Sequence, residues 1–177
     1  MIPERLSRLR REMEQRRIDV YVVPTADFHE SEYVGAHFKA RSYITGFTGS
    51  AGTAIITMTE AGLWTDARYF LQAKHQLENT GVTLYRMGEE GVPTIMEYLR
   101  SALPEGGTLG FDGRVINARL GAEFLALAEE KNAKLAVGED LVGIIWDDRP
   151  ELPHAPVRIL TAEYSGRSTA DKLADVR

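Results

Sequence analysis

Two segments in the first third of the sequence contain most of the side chains that could do chemistry. The first is DFHESEY, Asp27 to Tyr33, which combines carboxylates with a histidine, and the second is RSYITGFTGSAG, which is rich in glycine and hydroxyl groups. His29, Glu32 and His37 could suggest metal binding, but their spacing does not match a helical histidine pair such as H-E-x-x-H. We therefore expect hydrogen-bonded structural histidines, and we predict no metal site within this chain.

The glycine-rich segment GFTGSAG does not have the spacing of a phosphate-binding loop or of a serine nucleophile. A phosphate-binding loop needs a Lys-Ser/Thr pair after its last glycine and then a helix, whereas Gly52 is followed by the strand-like TAIIT. Ser50 lacks the glycine two residues before it that a nucleophile elbow requires. We expect Gly46, Gly49 and Gly52 to allow a tight turn or a close approach of the backbone to a neighbour.

The segment WTDARY places a carboxylate and a guanidinium where a strand passes into a helix. Asp66 suits the N-cap position, where its side chain accepts hydrogen bonds from the first helical turn. Arg68 has no such local role, and an arginine here could hold a ligand carboxylate or carbonyl in a fork. A solvated or salt-bridged arginine is the other interpretation, and it is the one that the residues alone favour.

The elements that must position these residues alternate between strands and helices. Pro3 suits the first turn of a helix, and Leu6, Leu9 and Met13 follow at helical spacing. Asp27 and Glu30 predict a cap for a short helix that carries Ser31 to Tyr33. The remaining predictions are a hairpin formed by Thr53–Thr57 and Leu63–Thr65, helices over Arg68–Leu77, from Pro93 and from Asn117, and strands Val20–Val23, Val82–Arg86, Thr108–Phe111, Leu135–Val137 and Val142–Ile145.

This order predicts an α/β fold with a three-layer architecture, a mixed sheet with helices on both faces, because the hairpin interrupts strict βαβ repetition. The proline-rich stretch Asp147 to Pro156 is typical of a linker. We therefore expect one domain over residues 1–150, and a linker with the start of a second domain over residues 151–177.

Composition narrows the classes of function. The formal net charge is −5, which does not favour nucleic acid or an anionic membrane as a partner. The sequence contains no cysteine, which excludes a disulfide framework, a zinc–cysteine site and a thiol nucleophile in this segment. No apolar run approaches the roughly 20 residues that span a bilayer. We expect a soluble cytoplasmic protein.

The segments DFHESEY, YITGFTGSAGTAIIT and LWTDARYFLQA, in this order, resemble the N-terminal domain of Xaa-Pro aminopeptidases, which is the creatinase/prolidase N-terminal domain. DLVGIIWDDRPELP, Asp140 to Pro153, is similar to the segment that ends this domain in three-domain forms of the enzyme. TAEYSGRSTADKLADVR is similar to the opening of their second domain.

The resemblance implies that the catalytic machinery lies in a part of the protein outside these residues. A C-terminal pita-bread domain of the family holds two divalent metal ions, usually manganese, through two Asp, one His and two Glu. The N-terminal domain supports homodimerisation and shapes the mouth of the active site, so this fragment alone is expected to be inactive, with no catalytic residue and no cofactor of its own. Arg68 matches the family arginine that reaches toward the proline-containing peptide, and His29 is a further possible substrate-binding residue.

Two classes of function stay open at this point. The first is a metal-dependent peptidase that removes the residue before proline, with a prolidase or creatinase-type hydrolase as the alternative enzyme. The second is a relative without metal ligands that binds peptides or proteins.

Overall fold

The computed structural model describes residues 1–138 and 140–177, and the predicted three-layer α/β architecture is confirmed. Six strands form one sheet in the order β4-β3-β2-β1-β5-β6. β1 pairs antiparallel with β2 and β2 with β3, while the β3–β4, β1–β5 and β5–β6 pairs are parallel. Five strands therefore point the same way and β2 opposes them. The strands are β1 Val20–Pro24, β2 Thr53–Thr57, β3 Ala61–Thr65, β4 Thr83–Arg86, β5 Thr108–Phe111 and β6 Lys134–Ala136.

Eight α-helices accompany the sheet in the described part of the chain, together with three short 3₁₀ turns. The helices are α1 Ile2–Arg16, α2 Ala40–Thr45, α3 Phe70–Gln76, α4 Ile95–Ala102, α5 Ala118–Glu130, α6 Leu141–Ile145, α7 Ala162–Ser165 and α8 Thr169–Val176, and the 3₁₀ turns are Ala36–Phe38, Ala67–Tyr69 and Gly113–Val115.

The sheet is buried on both faces because its central strands alternate apolar side chains between two cores. In β1, Tyr21 and Val23 join one core while Val20 and Val22 join the other. Helices α1, α2, α3 and α6 cover the first face, and α4 and α5 cover the second. Such two-sided burial explains why the strands contain continuous apolar runs instead of alternating apolar and polar residues.

Two of the predicted elements are wrong. Val142–Ile145 belongs to helix α6, since the side chain of Asp140 accepts from the Gly143 amide and caps that helix. The helix expected to carry Ser31 to Tyr33 does not form. Instead, the Asp27 carboxylate accepts the amides of His29 and Ser31 and closes a turn.

The chain that follows α6 is fastened to the domain by side chains. We call residues 146–150 the strap. The Trp146 ring stacks on Tyr43 with the centroids 4.5 Å apart, and Arg149 Nε donates to the carbonyl of His37 at 2.9 Å. Beyond the strap, residues 151–177 are exposed apart from the half-buried Ser165, and helices α7 and α8 bury no residue.

Candidate functional site

The segments identified from the sequence converge on one edge of the sheet. The carboxyl ends of parallel strands lie at the same edge, and ligands of open α/β sheets bind there. DFHESEY follows β1 and WTDARY leaves β3 at this edge, and the antiparallel β2 begins here, directly after GFTGSAG. Motifs that lie far apart in the sequence therefore share one surface.

Asp66 and Arg68 form a compact ion pair at the end of β3. The Asp66 carboxylate accepts from the Arg68 amide at 3.1 Å, from Nε at 2.8 Å and from Nη2 at 2.9 Å. Asp66 is thus the cap of the following 3₁₀ turn, as predicted, and the salt-bridged alternative for Arg68 is the one that the structure shows. Hydrogen bonding from Arg68 lowers the pKa of the Asp66 carboxyl, and Asp66 raises the pKa of the guanidinium.

The pair leaves one side of the guanidinium available. The Arg68 side chain is 65% exposed, and within the described residues its Nη1 makes no hydrogen bond. Its guanidinium carbon lies 5.2 Å from the centre of the Tyr69 ring. Arg68 is therefore a positioned cation with free donors, which is what binding a carbonyl or carboxylate requires.

A second pair with the same hydrogen bonds lies at the end of β5, and our sequence reasoning missed it. Asp112 accepts from the Arg114 amide at 3.0 Å, from Nε at 2.9 Å and from Nη2 at 2.8 Å. Arg114 also pairs with Asp140 at 3.0 Å. The signal was present in the sequence, because Asp-x-Arg follows a strand twice.

His29 lies in the loop that follows β1. It lines a cleft of about 350 Å³ together with Asp27, Arg114 and Asn117. The amides of His29 and Ser31 hydrogen-bond the Asp27 carboxylate and lower its pKa, the Ser31 amide contributing most. The structure gives no direct contact that joins His29 to Arg68.

The GFTGSAG loop packs against helix α3 through its backbone and hydroxyl groups. A Cβ on Gly49 would lie 2.3 Å from the Phe47 ring and 2.7 Å from the Tyr69 ring, so a close approach explains this glycine. The Ser50 hydroxyl is paired with the Tyr69 hydroxyl at 2.6 Å, and the Thr48 amide donates to the Gln76 side chain at 2.9 Å. The loop is a fixed wall of the site.

Arg41 of α2 holds the other side of this loop, and our sequence reasoning also missed it. Only 3% of its surface is exposed. Its guanidinium donates to the carbonyls of Phe47 and Gly49, and its Nε donates to the Thr25 hydroxyl at 2.9 Å. The available signal was its position on the buried helix face with Ile44 and Thr45.

The described residues do not assemble a metal centre. They contain no group of three histidine, aspartate or glutamate side chains that could hold a metal ion. His37, one of the histidines weighed from the sequence, has its Nδ1 2.7 Å from the carbonyl oxygen of Pro150. No described helix is long and apolar enough to cross a membrane.

Residues 5–143 match the family model described as the creatinase/prolidase N-terminal domain. The chain belongs to this family. Over 177 residues it is 44% identical to the probable Xaa-Pro aminopeptidase P of Aspergillus niger, and the alignment covers 98% of this chain and 28% of that protein. It is 40% identical to aminopeptidase P2 of Arabidopsis thaliana, over 100% of this chain and 26% of that protein. The chain thus spans less than a third of the length of these relatives.

Solved structures agree with this assignment. The X-prolyl aminopeptidase of Caenorhabditis elegans, described as a cytosolic enzyme with a di-nuclear active site, superposes with a TM-score of 0.88 and 29% identity, over 99% of this chain and 30% of that one. The N-terminal domain of the peptidase PepQ from Mycobacterium tuberculosis shares the fold, with a TM-score of 0.57 and 24% identity, over 81% of this chain and 98% of that one.

Proposed function

We propose that this chain is the substrate-mouth domain of a metal-dependent Xaa-Pro aminopeptidase, which removes the residue preceding proline from a peptide. The observation that carries the proposal is Arg68, an exposed guanidinium fixed by Asp66 at the carboxyl edge of the sheet. The identity to Xaa-Pro aminopeptidases over nearly the whole chain supports the choice of substrate class.

In this proposal, the present chain contributes to substrate binding and another part of the protein holds the metal ions. Since the described residues do not fit a dinuclear metal centre, the two divalent ions, manganese by family resemblance, belong to a part of the protein outside these 177 residues. Residues 1–150 form the N-terminal domain, and residues 151–177 are a linker with the start of a second domain. The whole protein is a cytoplasmic homodimer in this proposal.

Arg68 has a binding role that follows from its geometry. Asp66 occupies Nε and Nη2, which leaves Nη1 to donate to a substrate carbonyl or carboxylate. A hydrogen bond from a charged group contributes roughly 1.5–3 kcal/mol, or about ten- to hundredfold in kcat/KM when it is present in the transition state. His29 is a second proposed substrate contact on the same edge.

The test is the Arg68→Ala substitution in the whole protein, assayed with an Xaa-Pro peptide. We expect kcat/KM to fall about ten- to hundredfold with the metal content unchanged. Arg68→Lys keeps the charge but lacks the forked donors of a guanidinium, so its kcat/KM should lie between those of Arg68→Ala and the unmodified protein. Arg100→Ala is the matched control, since Arg100 is an exposed arginine paired with Glu130 on α4 and α5. Full activity of Arg68→Ala combined with a lower melting temperature would show a purely structural role.

The 177-residue chain by itself should not hydrolyse peptides. Its described residues offer no metal centre, and the sequence has no thiol and no elbow serine. The measurement is release of the N-terminal residue from an Xaa-Pro peptide in the presence of manganese. Turnover at a rate comparable to that of the whole protein contradicts this prediction.

A further inference from the structure

The cavity beside Arg41 contains an unbalanced positive charge. Arg41 is almost fully buried, and its three hydrogen bonds go to neutral oxygens, those of Thr25, Phe47 and Gly49. Within the described residues, no carboxylate lies within ion-pair distance of it. A guanidinium carries five N–H donors, so two of them have no acceptor in this part of the chain.

This arrangement is energetically costly without an anion nearby. Burying a charge is expensive unless it is paired as well as hydrogen-bonded, and carbonyl dipoles compensate only part of the cost. Burial lowers the pKa of Arg41 to about 10, which still leaves it protonated near neutral pH. A carboxylate brought to this guanidinium would therefore be bound more strongly than one at an exposed arginine.

The cavity is large enough for such a group. It has a volume of about 370 Å³, within the range of small-molecule sites, and it opens between the loop after β1 and the GFTGSAG loop. Arg41 and Lys39 line it together with the hydroxyls of Ser42 and Ser50, and Glu32 is the one acidic residue in its lining. Two cations and one anion leave a formal charge of +1, which matches a monoanion better than a phosphate dianion.

The lining also has an apolar and aromatic part, beside the polar Thr25 and Thr48. Val34, Phe38 and Tyr33 contribute to the cavity wall. Phe38 is held in place by an edge-to-face contact with Phe28 at 4.8 Å between centroids. A ligand that satisfies both parts of the cavity combines a carboxylate with a compact apolar body.

We propose that this cavity binds a carboxylate group attached to a small apolar group, with Arg41 and Lys39 as the cationic partners. The carboxylate has two possible sources, a free ligand or peptide terminus, or an acidic side chain from another part of the whole protein. The proposal concerns a site other than Arg68 and does not depend on the aminopeptidase function.

The binding test uses the ¹⁵N-labelled 177-residue chain and N-acetyl-L-leucine as the probe. We expect chemical-shift changes at the backbone amides of residues 48–50, with a Kd on the order of 1 mM for a ligand of this size. N-Acetyl-L-leucinamide, which lacks the charge, should produce at most small changes. Equal shifts with the amide, or no shifts at these residues with the acid, overturn the proposal.

Variants then identify the cationic partners. Lys39→Gln replaces an exposed lysine whose side chain makes no hydrogen bond among the described residues, so the fold should be unaffected, and we expect about two- to fivefold weaker binding. Lys74→Gln, on the exposed face of α3, is the matched control and should bind as the unmodified chain does. Arg41→Lys should weaken binding by about tenfold or more, provided its melting curve shows a folded domain. Unchanged affinity in Lys39→Gln overturns the role of Lys39 and with it the proposed site.

The same titration of the whole protein distinguishes the sources. Binding of the probe with similar affinity supports a free carboxylate as the ligand. Binding to the 177-residue chain but not to the whole protein supports an acidic side chain of the protein as the natural occupant. Both results support a carboxylate site.

Discussion

At the scale of single residues, charged side chains at the sheet edge are positioned by very short connections. Arg68 is fixed by a carboxylate only two residues away, and Arg114 is fixed in the same way by Asp112. In each pair the aspartate caps a 3₁₀ turn and binds the guanidinium at the same time. One side chain thus both starts an element and orients a charged group.

Substitutions of Asp66 should separate these two roles. Asp66→Ala removes both the cap and the ion pair, and we expect a loss of about 1 kcal/mol in the free energy of unfolding. Asp66→Asn keeps a good capping side chain and loses only the charge, so its loss should be smaller, about 0.2–1 kcal/mol, because the pair is exposed and screened by solvent. Urea denaturation at neutral pH measures both values.

The pH dependence of this pair has a definite sign. Because the folded pKa of Asp66 lies below its ordinary value of 3.8, the ionised form stabilises the fold fully above that pH. The contribution is lost as the pH falls through the folded pKa. The stability difference between the unmodified chain and Asp66→Asn should therefore shrink toward zero in acid, and a difference that grows in acid contradicts the assignment.

The sequence predicted that Asp66 caps the turn after β3 but did not predict the buried position of Arg41, for a physical reason. A cap directly follows a strand and its signal is local, whereas arginines are rarely fully buried. The burial of Arg41 depends on carbonyls of residues six and eight positions later, in a loop whose path the sequence pattern does not give.

At the scale of elements, the GFTGSAG loop shows how glycine lets a loop pack closely against Tyr69, the N-cap residue of α3. Gly49 faces two aromatic rings at distances that a Cβ cannot occupy. Gly46 ends α2 with φ of 82°, a conformation that glycine adopts without strain. The loop therefore acts as a rigid spacer between β2 and the helices beside it.

The same substitution at two glycines should have opposite effects on stability. Gly49→Ala should destabilise the fold by about 1–3 kcal/mol, because the new methyl group overpacks against Phe47 and Tyr69. Gly121→Ala should stabilise it by about 0.5–1 kcal/mol, since Gly121 is inside α5 and a Cβ there would have only Ile116 in contact, at 3.9 Å. Thermal melting of both variants is the measurement. A neutral Gly49→Ala contradicts the packing argument.

The sequence predicted the long helices correctly, because a long helix repeats its apolar period several times. It did not predict the shortest helices. Helix α5, with Phe124 and Leu127 facing inward, and the β2–β3 hairpin follow directly from the sequence. Helices α2 and α6 have six and five residues, too few to establish a helical period. The apolar run Val142–Ile145 therefore matched a buried strand equally well.

At the scale of the whole molecule, the strap determines where the chain leaves the domain. Asp147 accepts two hydrogen bonds from Arg8, at 2.8 and 2.9 Å. Arg149 bridges the Asp140 carboxylate and the carbonyl of His37, and so joins the start of α6 to the 3₁₀ turn before α2. Within the proline-rich stretch that begins at Asp147, the side chains of Asp147 and Arg149 bind Arg8 and the His37 carbonyl, which lie more than 100 residues away in the sequence.

Limited proteolysis should reveal this boundary. We expect trypsin to cut first after Arg158, Arg167 or Lys172, which are exposed, and chymotrypsin to spare the bond after Trp146, whose ring is stacked on Tyr43. Arg149→Gln removes the ion pair with Asp140 and weakens the attachment to His37, so chymotrypsin should then cut after Trp146 measurably faster. Arg158→Gln is the control and should leave that rate unchanged, because Arg158 makes no hydrogen bond or ion pair among the described residues. Early cuts within residues 20–73, or equal rates in Arg149→Gln and the unmodified chain, would show that these side chains do not hold the strap.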